Sequence, residues 1–163
     1  AGNTVTVAHY LDLLDKAGML CGIQKYDAKE VRRRKSSPRF MVYDTSLMTA
    51  SSGIEKSRYL GEPDLRGHLV ESAVGARLLA RASEEGLGVY WWREGIKEVD
   101  FVVSKGFDSL SAIEVKSGKE KGQSGMADFL SAHPSAKRIV VGGAASGACG
   151  VEEFLKDEVE LFY

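Results

Sequence analysis

The chain begins with a helical stripe of apolar residues. In "TVTVAHYLDLLDKAG", Val7, Tyr10, Leu11, Leu14 and Ala17 recur at three- and four-residue intervals, and Gly18 is a suitable stop. "MLCGIQKY" reads as a short strand. "DAKEVRRRKSSPR" is a basic loop ending after Pro38, and "FMVYD" is a second strand. "TSLMTASSG" predicts a short helix capped by Thr45 or Ser46. "EKSRYLGEPD", with Gly61 and Pro63, reads as a polar connector. It divides the chain into residues 1–60 and 61–163.

After the connector, "DLRGHLVESAVGARLLARASEEG" has the length and period of a long helix. Asp64 is its candidate N-cap and Gly86 its stop. "VYWWR", "EVDFVV" and "SAIEVK" read as three strands joined by the turns "EGIK" and "SKGFDSL". "MADFLSAHP" is a short helix and "KRIVVGG" a strand. "ASGACG" is a loop, "VEEFLKD" a helix and "VELFY" a last strand. The fold class is therefore α/β. Short turns predict an antiparallel meander for the three central strands, and a helical crossover lets a later strand pair in parallel.

Residues two apart on a strand share a face. Glu98 and Asp100 then share one face of their strand, with Val99, Phe101 and Val103 on the other. In the next strand Glu114 and Lys116 share a face. If the two strands pair, Asp100 and Glu114 lie side by side, where like charges repel unless a cation lies between them. Carboxylate oxygens and water are the ligands magnesium uses. A lysine two residues from one such ligand can orient the attacking water, an arrangement suited to a phosphodiester. The competing reading is a solvated sheet face with Lys116 paired to an acid. On the long helix, Glu71 is displaced from the charged side formed by Arg66, Arg77, Arg81 and Glu84. It falls beside Gly75 and Leu78, so it faces the protein and needs a partner there.

Composition adds limits. The chain has 163 residues, 44% hydrophobic and 28% charged, in the globular range. Its 22 basic and 23 acidic residues give a net charge of -1, so attraction to nucleic acid must come from local patches. Cys21 and Cys149 form no metal or redox motif and suit a reducing, cytoplasmic compartment. No apolar run approaches a membrane span, so no membrane partner is expected. His9, His68 and His133 lack ligand spacing. The chain lacks a G-x(4)-G-K-(S/T) phosphate loop, so no ATP site is expected. The glycine-rich "GGAASGACG" reads as a tight loop.

The basic run Arg32, Arg33, Arg34, Lys35 and Arg39 is either a surface for DNA phosphates or a solvated loop. After Lys116, "KSGKEKGQSG" brings Lys119, Lys121 and Gln123 within reach of a phosphate near the acids. Of Trp91 and Trp92, one is expected in the core and one at the surface.

The acid, acid-x-lysine and helical glutamate in this element order resemble the PD-(D/E)XK nuclease superfamily, of restriction-endonuclease-like fold. The matching positions are Glu71, Asp100, Glu114 and Lys116, and the resemblance spans about residues 64–163. It implies a magnesium- or manganese-dependent phosphodiesterase acting on DNA rather than RNA. Asp100, Glu114 and the Val115 carbonyl would be metal ligands, Lys116 would position the water, and Glu71 would reach the metal through water or bind a second ion. The whole chain resembles more closely the C-terminal domain of uncharacterised function on prokaryotic AAA-type ATPases. There a winged-helix-like segment precedes the nuclease-like core. "TVAHYLDLLDKAGML" is similar to its last helix, and "GIQKYDAKEVRRRKSSPRFMVYDTSL" to its wing and the stretch after it. That likeness implies a partial winged helix over residues 1–60 and an ATPase module upstream as partner. The missing initiator methionine fits such a fragment, or else a processed start. A non-catalytic DNA- or protein-binding module of the ATPase is the alternative reading, and self-association is left open.

Overall fold

The computed structural model describes residues 4–27, 37–106, 108–116 and 123–163. The basic run at residues 32–35, and Lys119 and Lys121, lie outside them. Of Gln123 only the backbone is described. Helix α1 spans Thr4–Lys16, followed by strands β1 (Leu20–Lys25) and β2 (Arg39–Val42). Helices α2 (Thr45–Ser52), α3 (Lys56–Gly61) and α4 (Pro63–Glu85) come next. Strands β3 (Gly88–Glu94), β4 (Lys97–Lys105), β5 (Ser109–Val115) and β6 (Gln123–Ser124) follow. Helix α5 (Met126–Ala132), strand β7 (Lys137–Val141) and helix α6 (Val151–Leu155) complete the described elements.

The architecture is mixed α/β. The main path of the sheet runs β2-β1-β3-β4-β5-β7, with β6 added beside β4. β3, β4 and β5 form the antiparallel meander. β7, reached through α5, pairs in parallel with β5. β1 pairs antiparallel with β2 and in parallel with β3. Strands from both sides of residue 60 thus share one sheet.

Helix α4 lies on one face of that sheet. Val74 and Leu78 are fully buried there against Phe101, Val103, Ile113 and Met41. Gly75 permits the close approach: a Cβ there would overlap the Met41 methyl and lie 3.0 Å from the Phe101 ring. On the opposite face α5 brings Met126 and Phe129 onto Val99, Val102 and Ala112. Among the described residues no helix is long and apolar enough to cross a membrane.

Several local features differ from the sequence reading. "EKSRYLGEPD" contains helix α3, anchored by the buried Tyr59. The N-cap of α2 is Asp44, whose carboxylate accepts the Ser46 N–H at 2.7 Å, rather than Thr45 or Ser46. Helix α4 starts at Pro63, one residue before Asp64, as proline's fixed φ suits a first turn. Gly86 ends it in the left-handed region. "VELFY" is not a strand. Leu161 instead enters the core, and its carbonyl accepts the buried Ser111 hydroxyl, a side-chain tie in place of a ladder. On α1 only Leu11 and Leu14 of the apolar stripe are partly covered, while Val7 and Tyr10 are exposed.

A register shift between Tyr90 and Trp92 alters the face pattern of β4. Tyr90 pairs with Val102 and Trp92 with Val99, so β4 carries one extra residue there. Val99 consequently packs with Val102 on the α5 face, while Phe101 and Val103 pack on the α4 face. Strict alternation, which put Val99 with Phe101, fails at this bulge. Both tryptophans are partly buried, Trp91 on the α4 side and Trp92 on the α5 side, rather than one in the core and one at the surface.

Candidate acidic site

The β4–β5 ladder ends at Phe101 opposite Ile113, so the next step places Asp100 beside Glu114. Asp100 accepts the Val115 backbone N–H at 2.8 Å. Glu114 is buried, 7% exposed, and its carboxylate meets the Lys116 ammonium at 3.0 Å. Glu71 reaches the same region from α4 and acts electrostatically on Asp100, as does Glu114. The structure thus brings Glu71, Asp100, Glu114 and Lys116 together.

Burial pushes the Asp100 carboxyl up to about 7. The Val115 N–H opposes this by favouring the ionised form. Glu71 and Glu114 raise the value further, and the Arg39 guanidinium lowers it. Desolvation and neighbouring like charge therefore outweigh the positive groups present.

Arg39, the first residue of β2, supplies the partner that Glu71 needed. Its Nη1 lies 3.7 Å from Glu71 Oε1 and donates to the Asp100 carbonyl at 3.4 Å. Its Nη2 donates to Glu98 Oε1. The guanidinium also lies 5.1 Å from the centre of the Trp91 ring, within cation–π range. The side chain is 23% exposed, at the edge of the cluster rather than beneath it.

Sequence reasoning gave no role to Glu98 or to Arg39 as an internal cation. Alternation along β4 already put Glu98 with Asp100, so that signal was present. Nothing local could couple Arg39 to acids some 60 positions later. Gly142 and Gly143 were also missed. Both have positive φ, 75° and 76°. A Cβ on Gly142 would stand 2.5 Å from the Lys116 carbonyl oxygen, and one on Gly143 2.9 Å from the Lys116 Cβ. Together with the Lys116 N–H to Val141 carbonyl bond of 2.8 Å, this loop sets the lysine backbone.

The donor set suits a hard divalent cation: carboxylate oxygens, a nearby backbone carbonyl and a partly desolvated negative cluster. The side chains are not gathered as ligands, however. Among the described residues no three His, Cys, Asp or Glu side chains are placed to hold a metal. Arg39 engages Glu71 and Glu98, and Lys116 engages Glu114.

Fold and cluster define a class: a mixed-sheet α/β domain with an acid- and lysine-bearing cluster where two central strands part. The chain belongs to the family described as Domain of unknown function (DUF4143), whose model matches residues 66–149, just over half the chain. A second model, Domain of unknown function (DUF8612), matches residues 2–58. No curated protein and no solved structure matches the chain.

Proposed function

We propose that this domain is a metal-dependent nuclease acting on DNA, in the manner of the PD-(D/E)XK superfamily. The observation that carries the reading is the convergence of Glu71, Asp100 and Glu114, with Asp100 held near 7 by burial and by the other two acids. Asp100, Glu114 and the Val115 carbonyl would hold magnesium or manganese. The bound ion would supply charge neutralisation at the phosphate and activation of water. Lys116, once released from Glu114, orients the attacking water and stabilises charge developing on the phosphoryl oxygens. Glu71 would hold a water near the ion or a second cation. Arg39, the basic run at residues 32–35, Lys119, Lys121 and Gln123 provide the nucleic-acid contacts, with RNA as the weaker substrate. This reading places the domain C-terminal to an AAA-type ATPase module in the cytoplasm, after a winged-helix-like segment in residues 1–60.

The test is cleavage of single-stranded, duplex and branched DNA and of RNA with magnesium or manganese. Wild type is expected to cut, while Asp100→Ala and Lys116→Ala, folded by circular dichroism, do not. Cleavage retained in folded Asp100→Ala would sink the assignment.

A second reading has its own support. Glu71 and Glu98 are paired with Arg39 and Glu114 with Lys116, and among the described residues no three such side chains are arranged as ligands. That favours a non-catalytic DNA- or protein-binding module of the same ATPase. It predicts DNA retention without cleavage, unaffected by Asp100→Ala.

A further inference from the structure

We propose that Arg39 is the resident counter-ion of the acidic cluster and must leave it before a divalent cation can bind. The inference rests on the metal reading given above, but concerns what happens before the metal arrives.

One guanidinium bridges three acid-bearing residues on two elements. It meets Glu71 of α4, the Glu98 carboxylate of β4 and the Asp100 carbonyl of β4. An arginine stays charged at any pH a protein meets, so it cannot vacate the cluster by losing a proton. It can vacate it only by moving. Its side chain is 23% exposed, and it enters from β2, an end strand on the main path of the sheet, so a route to solvent exists. The face of Trp91 steadies it in the inward position.

Its hold on the acids is uneven. Glu98 accepts a direct bond, whereas Glu71 is 3.7 Å away, beyond normal hydrogen-bond length. Glu71 is therefore the acid most easily ceded. A divalent ion and the guanidinium compete for the same negative potential, and both cannot sit against Glu71 and Asp100 without repulsion. The ion brings the larger charge, and its arrival beside Asp100 and Glu114 makes a guanidinium held at Glu71 and the Asp100 carbonyl unfavourable. Lys116 engages Glu114 and the Val115 N–H engages Asp100, so what Arg39 withholds from an ion is Glu71 and the negative potential of the cluster.

The test is manganese binding by titration calorimetry on the 163-residue chain. Arg39→Gln is expected to bind roughly tenfold tighter than wild type, as loss of one nearby positive charge implies. Arg39→Lys, which keeps the charge but not the planar fork, should fall between them. Lys97→Gln removes the same charge from an ion pair with Asp128 and should bind as wild type does. A second measurement needs no altered protein. Magnesium titrated into wild type should shift the Arg39 Nε–H resonance to the position of a solvated arginine. Equal affinity in wild type and Arg39→Gln, weaker binding in Arg39→Gln, or an unmoved resonance at saturation would each overturn the exchange while leaving the metal site standing. No binding by any folded form would overturn both readings.

Discussion

The carboxylate of Asp100 accepts the backbone N–H of Val115 at 2.8 Å, so a side chain takes a bond that a neighbouring strand would otherwise take. Beyond Phe101 and Ile113 the ladder between β4 and β5 stops. The β4 bulge, where Trp92 faces Val99 and Tyr90 faces Val102, lies beside this break. The strands therefore part at the place where the acids gather, and a side chain rather than a ladder partner satisfies the backbone there.

Asp100 should make the metal-free protein less stable as pH rises. Its folded value of about 7 lies above the ordinary 3.8, so between these limits the native state binds more protons than the unfolded chain. The contribution is fully present below about pH 4 and is lost as pH rises through about 7. Its size is on the order of a few kcal/mol. Urea unfolding of wild type and Asp100→Asn at pH 5 and pH 8 measures it. The variant, which has no charge to bury, should lose less stability across that interval. Parallel pH profiles would refute the assignment of the burial penalty to Asp100.

Gly142 and Gly143 should not tolerate a side chain. Each has a left-handed backbone and would press a Cβ against Lys116. Gly142→Ala faces a carbonyl oxygen, which cannot rotate aside, and should cost about 1–3 kcal/mol. Thermal melting gives the stability change. Chemical shifts of the Lys116 amide should move in the same variant, and their constancy would show that the loop does not set the lysine.

Gly75→Ala tests the seat of α4 on the sheet. Alanine gains about 1 kcal/mol in a helix over glycine, yet overpacking costs about 1–3 kcal/mol. Met41 can move its methyl, but the Phe101 ring at 3.0 Å has little room. The expected result is a net loss of about 1 kcal/mol, and a larger loss for Gly75→Leu. A more stable Gly75→Ala by denaturant midpoint would show that the interface is looser than it looks.

Ser111→Ala should loosen the C-terminal segment. Its hydroxyl is fully buried and donates to the Leu161 carbonyl. Removing the donor leaves that oxygen without this partner, at about 1–3 kcal/mol. Hydrogen exchange around residues 159–163 should accelerate in the variant. Unchanged protection would mean that the segment is held by the burial of Leu161 alone.

The sequence by itself determined the long helix, the central meander, the parallel return of β7 and the neighbourhood of Asp100, Glu114 and Lys116. Those follow from periodicities of 3.6 and 2 and from short turns, which act between residues close in the chain. It also gave Glu71 an inward face, through Gly75 and Leu78. Only the tertiary structure decided which cation meets these acids. Arg39 sits in a short strand whose local pattern says nothing of Glu71 or Glu98, and the contact exists because β1 pairs in parallel with β3 and carries β2 beside it. The β4 bulge was equally hidden, because an extra residue is defined by the partner strand. The same holds for "VELFY": its apolar residues signalled burial correctly, but whether they would find a free strand edge or a core pocket depended on Ser111 and on the packing around Leu161.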